Sequence, residues 1–213
     1  MREIWLGFVG VLVLAALSPA GAANGTTPVL IADTNSALAV TPDDRILGNP
    51  DAAITIVEYA SLNCPHCAHF AHDVLPKLKE KWIDSGKAKL VLRDFPLDEQ
   101  ALRAAMVARC APRERYYGFV DAFMEAQPRW VGSSDYRTVL AQLSKTGGMS
   151  EKRFDTCITD SALEDQIAKS RLVADQQLGV TATPTFFVNG TRFEGEPSLG
   201  AFERVLSGAS AKS

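Results

Sequence analysis

Two cysteines separated by two residues, in the segment Cys64-Pro65-His66-Cys67, constrain this chain more than any other feature. They follow an apolar, β-branched run at 53–60 and open a segment with helical spacing, so they stand at a predicted strand-to-helix junction. The first turn of a helix has unpaired N–H groups and the positive end of the macrodipole, which together lower the pKa of a thiol placed there. The second cysteine lies one turn further, within reach of a mixed disulfide on the first. The motif therefore predicts a pair that cycles between dithiol and disulfide.

Length and charge narrow the class of protein. The chain has 213 residues, enough for one large domain or for one domain with an insertion. Its apolar content is that of an ordinary globular protein with a substantial core. The formal net charge is −3 and no basic block is present, so we expect no nucleic-acid partner.

The first 23 residues have the pattern of a secretory signal peptide. Arg2 gives a short basic start, residues 4–17 form an apolar run too short to span a bilayer comfortably, and small residues follow. We expect cleavage after Ala22 or Ala23, with no stable membrane insertion afterwards. An uncleaved membrane anchor is the alternative.

Export affects how the four cysteines are interpreted, because an even number in an oxidising compartment suggests disulfides. Cys64 and Cys67 are close enough to pair with each other, which leaves Cys110 with Cys157. We expect the second pair to be a structural disulfide that closes a loop of about 48 residues. Two buried free thiols or a second redox pair are the alternatives.

The rest of the chain alternates between strand and helix periodicity. The predicted elements are a flexible linker at 24–47, a buried strand at 54–59, a helix at 64–83 kinked at Pro76, a strand at 88–93, a helical block at 98–177, a hairpin at 185–194 turning at Asn189-Gly190, a final amphipathic helix, and a frayed tail at 209–213. This order predicts an α/β chain with a thioredoxin-like fold, whose halves at 48–97 and 178–208 are separated by an all-helical insertion domain.

Four features carry a resemblance to a known family. The dipeptide between Cys64 and Cys67 is Pro-His, Glu58 lies six residues before the first cysteine, Thr183-Pro184 precedes the third strand, and a helical block separates the two halves. On these features, residues 46–207 resemble the DsbA family of periplasmic thiol–disulfide oxidoreductases, and look closest to its α-proteobacterial branch.

The resemblance implies a location, an activity and partners. It implies a periplasmic oxidase that donates its disulfide to reduced, unfolded exported proteins and needs no cofactor beyond the redox-active Cys64–Cys67 disulfide. It also implies that a DsbB-like membrane partner restores the disulfide.

Each residue of the motif has a predicted role. Cys64 is the expected nucleophile and Cys67 the resolving thiol. Pro65 suits an early helical position, and a charged His66 would stabilise the Cys64 thiolate. Glu58 is expected to be a buried acid that relays protons to or from Cys67, the alternative being a strand-end glutamate turned to solvent.

The loop at Thr183 and Pro184 is the predicted substrate-binding segment. The resemblance implies a cis peptide bond before Pro184, which would leave backbone groups beside the cysteines free to pair with an extended substrate chain.

Two other functions remain open at the level of sequence. Thr183, rather than valine, before the proline is more typical of isomerases, so a disulfide isomerase or reductase is the first alternative. The second is a periplasmic chaperone or metal-binding module, in which a C-x-x-C pair and a histidine hold zinc. Because His66, His69 and His72 step around the helix instead of converging, we predict no metal site.

Overall fold

The computed structural model describes residue 1 and residues 34–210. Apart from residue 1, the predicted signal peptide and its cleavage site lie outside the described residues. Within the described residues, no helix has the length and apolar character needed to cross a membrane.

A five-stranded mixed sheet forms the centre of the fold, in the order β1-β3-β2-β4-β5. Its strands are β1 (Arg45–Gly48), β2 (Ile54–Ala60), β3 (Ala88–Asp94), β4 (Thr185–Val188) and β5 (Thr191–Arg192). Only β2 and β3 pair in parallel, through a helical crossover, while β1–β3, β2–β4 and β4–β5 are antiparallel. The predicted strand at 54–59 is β2, the central strand, and its near-continuous apolar sequence reflects burial on both faces.

Helices cover both faces of the sheet. On one face, Ile54 and Ile56 of β2 pack with Phe70 of the helix after the cysteine motif and with Phe202 of the last helix. On the other face, Val57, Tyr59 and their neighbours pack against Leu38, Ala174 and Leu178. Because successive side chains of a strand point to opposite faces, Glu58 lies on the Ile54–Ile56 face.

The helix that begins at Pro65 is interrupted twice by π-helical turns. It runs as α2 (Pro65–His69), a π-turn (Phe70–Val74), α3 (Leu75–Leu78) and a second π-turn (Lys79–Ile83). Pro76 has no N–H and sits in the first turn of α3, so the break precedes it at Val74, where φ is −108°. The predicted interruption at Pro76 is thus a local change of helix type.

The block between β3 and β4 is entirely helical. It contains α4 (Glu99–Cys110), a short 3₁₀ turn (Arg113–Arg115), α5 (Tyr116–Glu125), α6 (Gln127–Trp130), α7 (Tyr136–Thr146), α8 (Glu151–Ile158) and α9 (Ser161–Leu178). Asp98, Ser150 and Asp160 cap α4, α8 and α9 with side-chain oxygens. The thioredoxin-like fold with a helical insertion is therefore confirmed.

The hairpin and the last helix also match the sequence pattern, with one difference at the end. Asn189 and Gly190 both have positive φ, 46° and 82°, as a type I′ turn requires. The last helix, α10 (Leu199–Ser210), continues to the end of the described residues, so the prediction of a frayed tail from 209 was wrong for its first two residues.

The linker prediction for 24–47 was wrong for its second part. Residues Thr34–Leu38 form helix α1 and Arg45–Gly48 form β1, so the sheet begins before position 48. The reason is a long-range anchor: the Arg93 guanidinium donates to the carbonyls of Ala37 and Ala39 at 2.6 and 2.7 Å and pairs with buried Asp44 at 2.9 Å.

Cys110 at the end of α4 and Cys157 in α8 form a disulfide, with their Cα atoms 6.0 Å apart. The bond ties the two insertion helices together across a sequence separation of 47 residues. Of the three readings open at the level of sequence, the structure thus contains the disulfide.

Opening this disulfide is expected to lower the free energy of unfolding by about 4 kcal/mol, because the closed loop restricts the unfolded chain. The measurement leaves Cys110 and Cys157 unchanged. A Cys64→Ser/Cys67→Ser variant, in which Cys110–Cys157 is the disulfide left to reduce, is unfolded in urea with and without dithiothreitol. Coincident unfolding curves would contradict the expectation.

Candidate active site

Cys64 occupies the N-cap of α2, directly after the loop that leaves β2. Its backbone is extended, with φ −81° and ψ 122°, and Pro65 follows as the first helical residue. The backbone N–H groups of His66 and Cys67 are hydrogen-bonded to the Cys64 sulfur. The helix start therefore supplies the donors that a thiolate needs.

The two thiols have opposite acidities. A hydrogen bond from the Cys67 thiol is the largest of the effects that lower the pKa of Cys64 to about 5, outweighing the opposing effect of burial. Burial raises the pKa of Cys67 well above that of a free thiol, and the hydrogen bond to Cys64 and the charge of Glu58 raise it further. In the reduced protein, Cys64 is therefore the thiolate and Cys67 the protonated thiol.

Removing the thiol donor is expected to raise the pKa of Cys64. In a Cys67→Ala variant the thiolate loses one charge-assisted hydrogen bond, which corresponds to about one to two pH units. Thiolate absorbance during a pH titration measures the shift directly. The reduced wild-type protein should titrate near pH 5; an unchanged titration of the variant would show that Cys67 does not stabilise the thiolate.

Thr183 lies against the same sulfur from another part of the chain. When it is protonated, the Cys64 thiol donates to the Thr183 carbonyl oxygen at 3.3 Å, and the Thr183 side chain contributes to the low pKa of Cys64. Within the described residues, the Thr183 hydroxyl oxygen is buried and has no hydrogen-bond partner, so it is available to donate to the Cys64 thiolate. The peptide bond between Thr183 and Pro184 is cis, in agreement with what the family resemblance implied.

Glu58 is buried on β2, with 2 % of its surface exposed. Burial, and then the nearby charge of Cys64, raise its pKa to about 8, so the carboxyl is mainly protonated at neutral pH. Glu58 also lines a cavity of about 320 Å³ together with Tyr117, Lys79 and Asp121, which provides space for water beside the acid. The alternative of a solvent-facing glutamate does not hold.

Sequence reasoning missed Gln127, which supports the loop before Cys64. Its buried side-chain amide donates to the carbonyls of Leu62 and Cys64 at 2.9 and 3.0 Å. On the same loop, the Asn63 side-chain amide donates to Asp98 at 2.7 Å. Gln127 and Asp98 belong to the helical insertion and lie 35 or more residues from the loop that they support. The proline after Gln127, at the start of α6, was the local signal in the sequence near Gln127.

The three histidines are exposed on the helix that follows Cys64. The backbone N–H of His66 contributes to the low pKa of Cys64. His69 pairs with Asp73 at 2.7 Å and His72 lies 3.7 Å from Asp121. Among residues 34–210, no three metal-binding side chains are grouped in a way that could hold an ion.

Comparison with known proteins fits this geometry. A family model described as thioredoxin matches residues 40–207. Crystal structures of Wolbachia pipientis alpha-DsbA1 superpose with a TM-score of 0.79 at 35% identity, covering 84% of this chain and 97% of that one. A protein-disulfide isomerase from Novosphingobium aromaticivorans has a TM-score of 0.69 at 25% identity, covering 80% and 99%.

Relatives in Rickettsia extend the similarity. One from Rickettsia prowazekii, named "Putative protein-disulfide oxidoreductase RP025", is 34% identical over 184 residues, covering 80% of this chain and 67% of the relative. One from Rickettsia bellii is 33% identical over 153 residues, covering 71% and 59%. Across the Rickettsia relatives that it matches, including others beside these two, the chain spans between 55% and 67% of the relative's length.

The matching model, the superposed structures and the two cysteines at the helix start define the class: a protein with a thioredoxin-like fold. Within that class, the chain belongs to the DsbA family.

Proposed function

We propose that this protein is an exported thiol:disulfide oxidase that donates the Cys64–Cys67 disulfide to folding proteins. The single observation that carries the proposal is the opposite acidity of the two thiols, with the pKa of Cys64 lowered to about 5 and that of Cys67 raised. A stabilised thiolate favours the reduced form of the pair, and a pair that prefers to be reduced is an oxidant towards other thiols.

The first step is attack on the disulfide. A substrate thiolate attacks the Cys64 sulfur, the Cys64–Cys67 bond breaks, and a mixed disulfide forms while Cys67 leaves with the electron pair. Because its pKa is high, Cys67 is a poor leaving group, and its sulfur needs a proton as the bond breaks. Buried Glu58, which carries a proton at neutral pH and acts on the pKa of Cys67, is the acid that donates it. Glu58 then regains a proton through the cavity that it lines.

The second step releases the product. A second substrate thiolate attacks the substrate sulfur of the mixed disulfide, and Cys64 leaves as a thiolate. Its low pKa makes Cys64 the better leaving group, so the reaction runs towards an oxidised substrate. Two substrate thiols lose two electrons and the Cys64–Cys67 pair gains them.

The segment that ends at Thr183 is the proposed substrate-binding loop. The Thr183 carbonyl oxygen is 3.3 Å from the Cys64 sulfur, and Thr181 and Ala182 before it are exposed. A substrate held at Cys64 therefore runs beside exposed backbone, which can pair with an extended, unfolded polypeptide.

Delivery and recycling complete the proposal. The signal-like first 23 residues support export to the periplasm, where reduced, unfolded exported proteins are the substrates. The oxidase must regain its disulfide after each turnover, which the family resemblance assigns to a DsbB-like membrane partner.

A disulfide isomerase is the second candidate, favoured by the similarity to the Novosphingobium aromaticivorans isomerase and by Thr183 before the proline. The two activities separate in one assay with reduced and scrambled ribonuclease A. The oxidase proposal predicts that a stoichiometric amount of this protein in its oxidised form restores activity to reduced ribonuclease A. In its reduced form, this protein should restore little activity to scrambled ribonuclease A. The opposite pattern would establish the isomerase.

A further inference from the structure

A groove of about 570 Å³ beside the Cys110–Cys157 disulfide has a strongly one-sided charge. It lies between β1, the end of α4 and the start of α8, away from Cys64. Five arginines line it: Arg45, Arg109, Arg113, Arg115 and Arg153. No aspartate or glutamate from the described part of the chain belongs to its lining.

The arginines of this groove are held mostly by neutral partners. Arg109 alone pairs with a carboxylate, that of Asp94. The other four donate to backbone carbonyls: Arg115 to Gly147 at 3.2 Å and Arg153 to Cys110 at 3.4 Å, for example. Within residues 34–210, these four guanidinium groups form no ion pair with a carboxylate.

Hydrogen-bonding capacity is left over in the groove. A guanidinium has five N–H donors, of which Arg115 and Arg153 each use one on the carbonyls above. Arg45 donates twice, to the carbonyls of Asp43 and Arg109, and its buried Nε has no hydrogen-bond partner among the described residues. The structural work of the arginines therefore leaves donors for a ligand.

The charges also repel one another at close range. Burial, and then the neighbouring charges of Arg113 and Arg109, lower the pKa of Arg45, while Tyr116 and Asp43 oppose this. A bound anion would relieve this repulsion and would satisfy the spare donors.

We propose that this arginine groove is a binding site for a small ligand with two or more oxyanion groups, such as a polyphosphate or a polycarboxylate. Planar guanidinium forks match the two oxygens of a phosphate or carboxylate, and several forks around one groove favour a ligand with more than one such group. The site is separate from Cys64, so the proposal stands whether or not the oxidase activity does.

Calorimetric titration of the full chain with its Cys110–Cys157 disulfide intact tests the site, with pyrophosphate and citrate as probes at constant ionic strength. At least one of the two probes should bind with a stoichiometry of about one molecule per protein. A difference in affinity between pyrophosphate and citrate distinguishes a phosphate ligand from a carboxylate ligand. An Arg115→Gln/Arg153→Gln variant should bind about tenfold more weakly, because it lacks two of the guanidinium groups that would contact the ligand. The variant should still fold, because the two side chains contribute one carbonyl contact each to the described part of the chain.

Two further variants separate a site from general attraction. Lys77→Gln/Arg204→Gln removes the same charge from exposed positions outside the groove and should leave binding unchanged. Arg115→Lys/Arg153→Lys keeps the charge and should keep more of the affinity than the glutamine variant. Absence of binding by both probes, or equal weakening in the groove and control variants, would overturn the proposal.

Discussion

Replacing Cys64 with serine is expected to reduce the oxidation of a reduced, unfolded polypeptide to the rate seen without protein. The variant has no disulfide to donate, and a serine hydroxyl is not ionised at neutral pH, whereas the pKa of the Cys64 thiol is lowered to about 5. The measurement is the loss of free substrate thiols under anaerobic conditions with stoichiometric oxidised protein.

The matched variant is Cys67→Ser, which lacks the resolving thiol but keeps the nucleophile. Supplied with an activated disulfide of the substrate, it should accumulate a mixed disulfide at Cys64 that is stable on a non-reducing gel, because Cys67 cannot release it. The Cys64→Ser variant should trap nothing. Trapping by the Cys64→Ser variant, or full activity without Cys64, would contradict every redox function proposed for this pair.

Replacing Glu58 with glutamine is expected to remove a pH-dependent loss of stability from the reduced protein. The pKa of the buried carboxyl is raised from 4.5 to about 8, so the folded chain holds a proton that the unfolded chain has lost. The contribution of Glu58 to stability therefore falls as the pH rises from about 4.5 to 8, by up to about 1.4 kcal/mol per pH unit. The Cys64 thiol, whose pKa is lowered, contributes in the opposite direction, so the difference between the variant and the wild type isolates Glu58. Above that window the variant should exceed the wild type by about 5 kcal/mol.

Urea denaturation across this pH range measures the difference, with Glu80→Gln as the matched control. Glu80 is exposed on the second π-turn, so its replacement should leave the pH dependence of the wild type in place. A Glu58→Gln variant whose stability depends on pH in the same way as that of the wild type would show that Glu58 is not a buried neutral acid. The effect should shrink in the oxidised protein, where Cys64 carries no charge.

Much of the fold could be predicted because its signals are local. The unbroken apolar run of β2, the proline at the start of α2 and the Asn189-Gly190 turn each act through neighbouring residues. The cysteine motif indicated the position of Cys64 at a helix start for the same reason, since a helix start is a property of a few consecutive residues.

The parts that the sequence did not predict depend on distant partners. Arg93 orders the segment before β1 by reaching residues 49 to 56 positions away, and nothing in that segment marks it as structured. Gln127 supports the loop before Cys64 from 63 and more residues along the chain, where its amide has no distinguishing neighbours. The interruption at Pro76 was predictable as a position, but its form, with π-turns on either side of α3, was not.

The equilibrium of the Cys64–Cys67 pair against a glutathione buffer tests the central claim most directly. The low pKa of Cys64 stabilises the reduced form of the pair. The oxidase proposal therefore predicts a strongly oxidising reduction potential of about −120 mV. The Cys110–Cys157 disulfide is followed separately by cysteine-specific mass spectrometry, so that the two pairs are not confused. A potential at or below about −230 mV would contradict the oxidase and indicate reductive work.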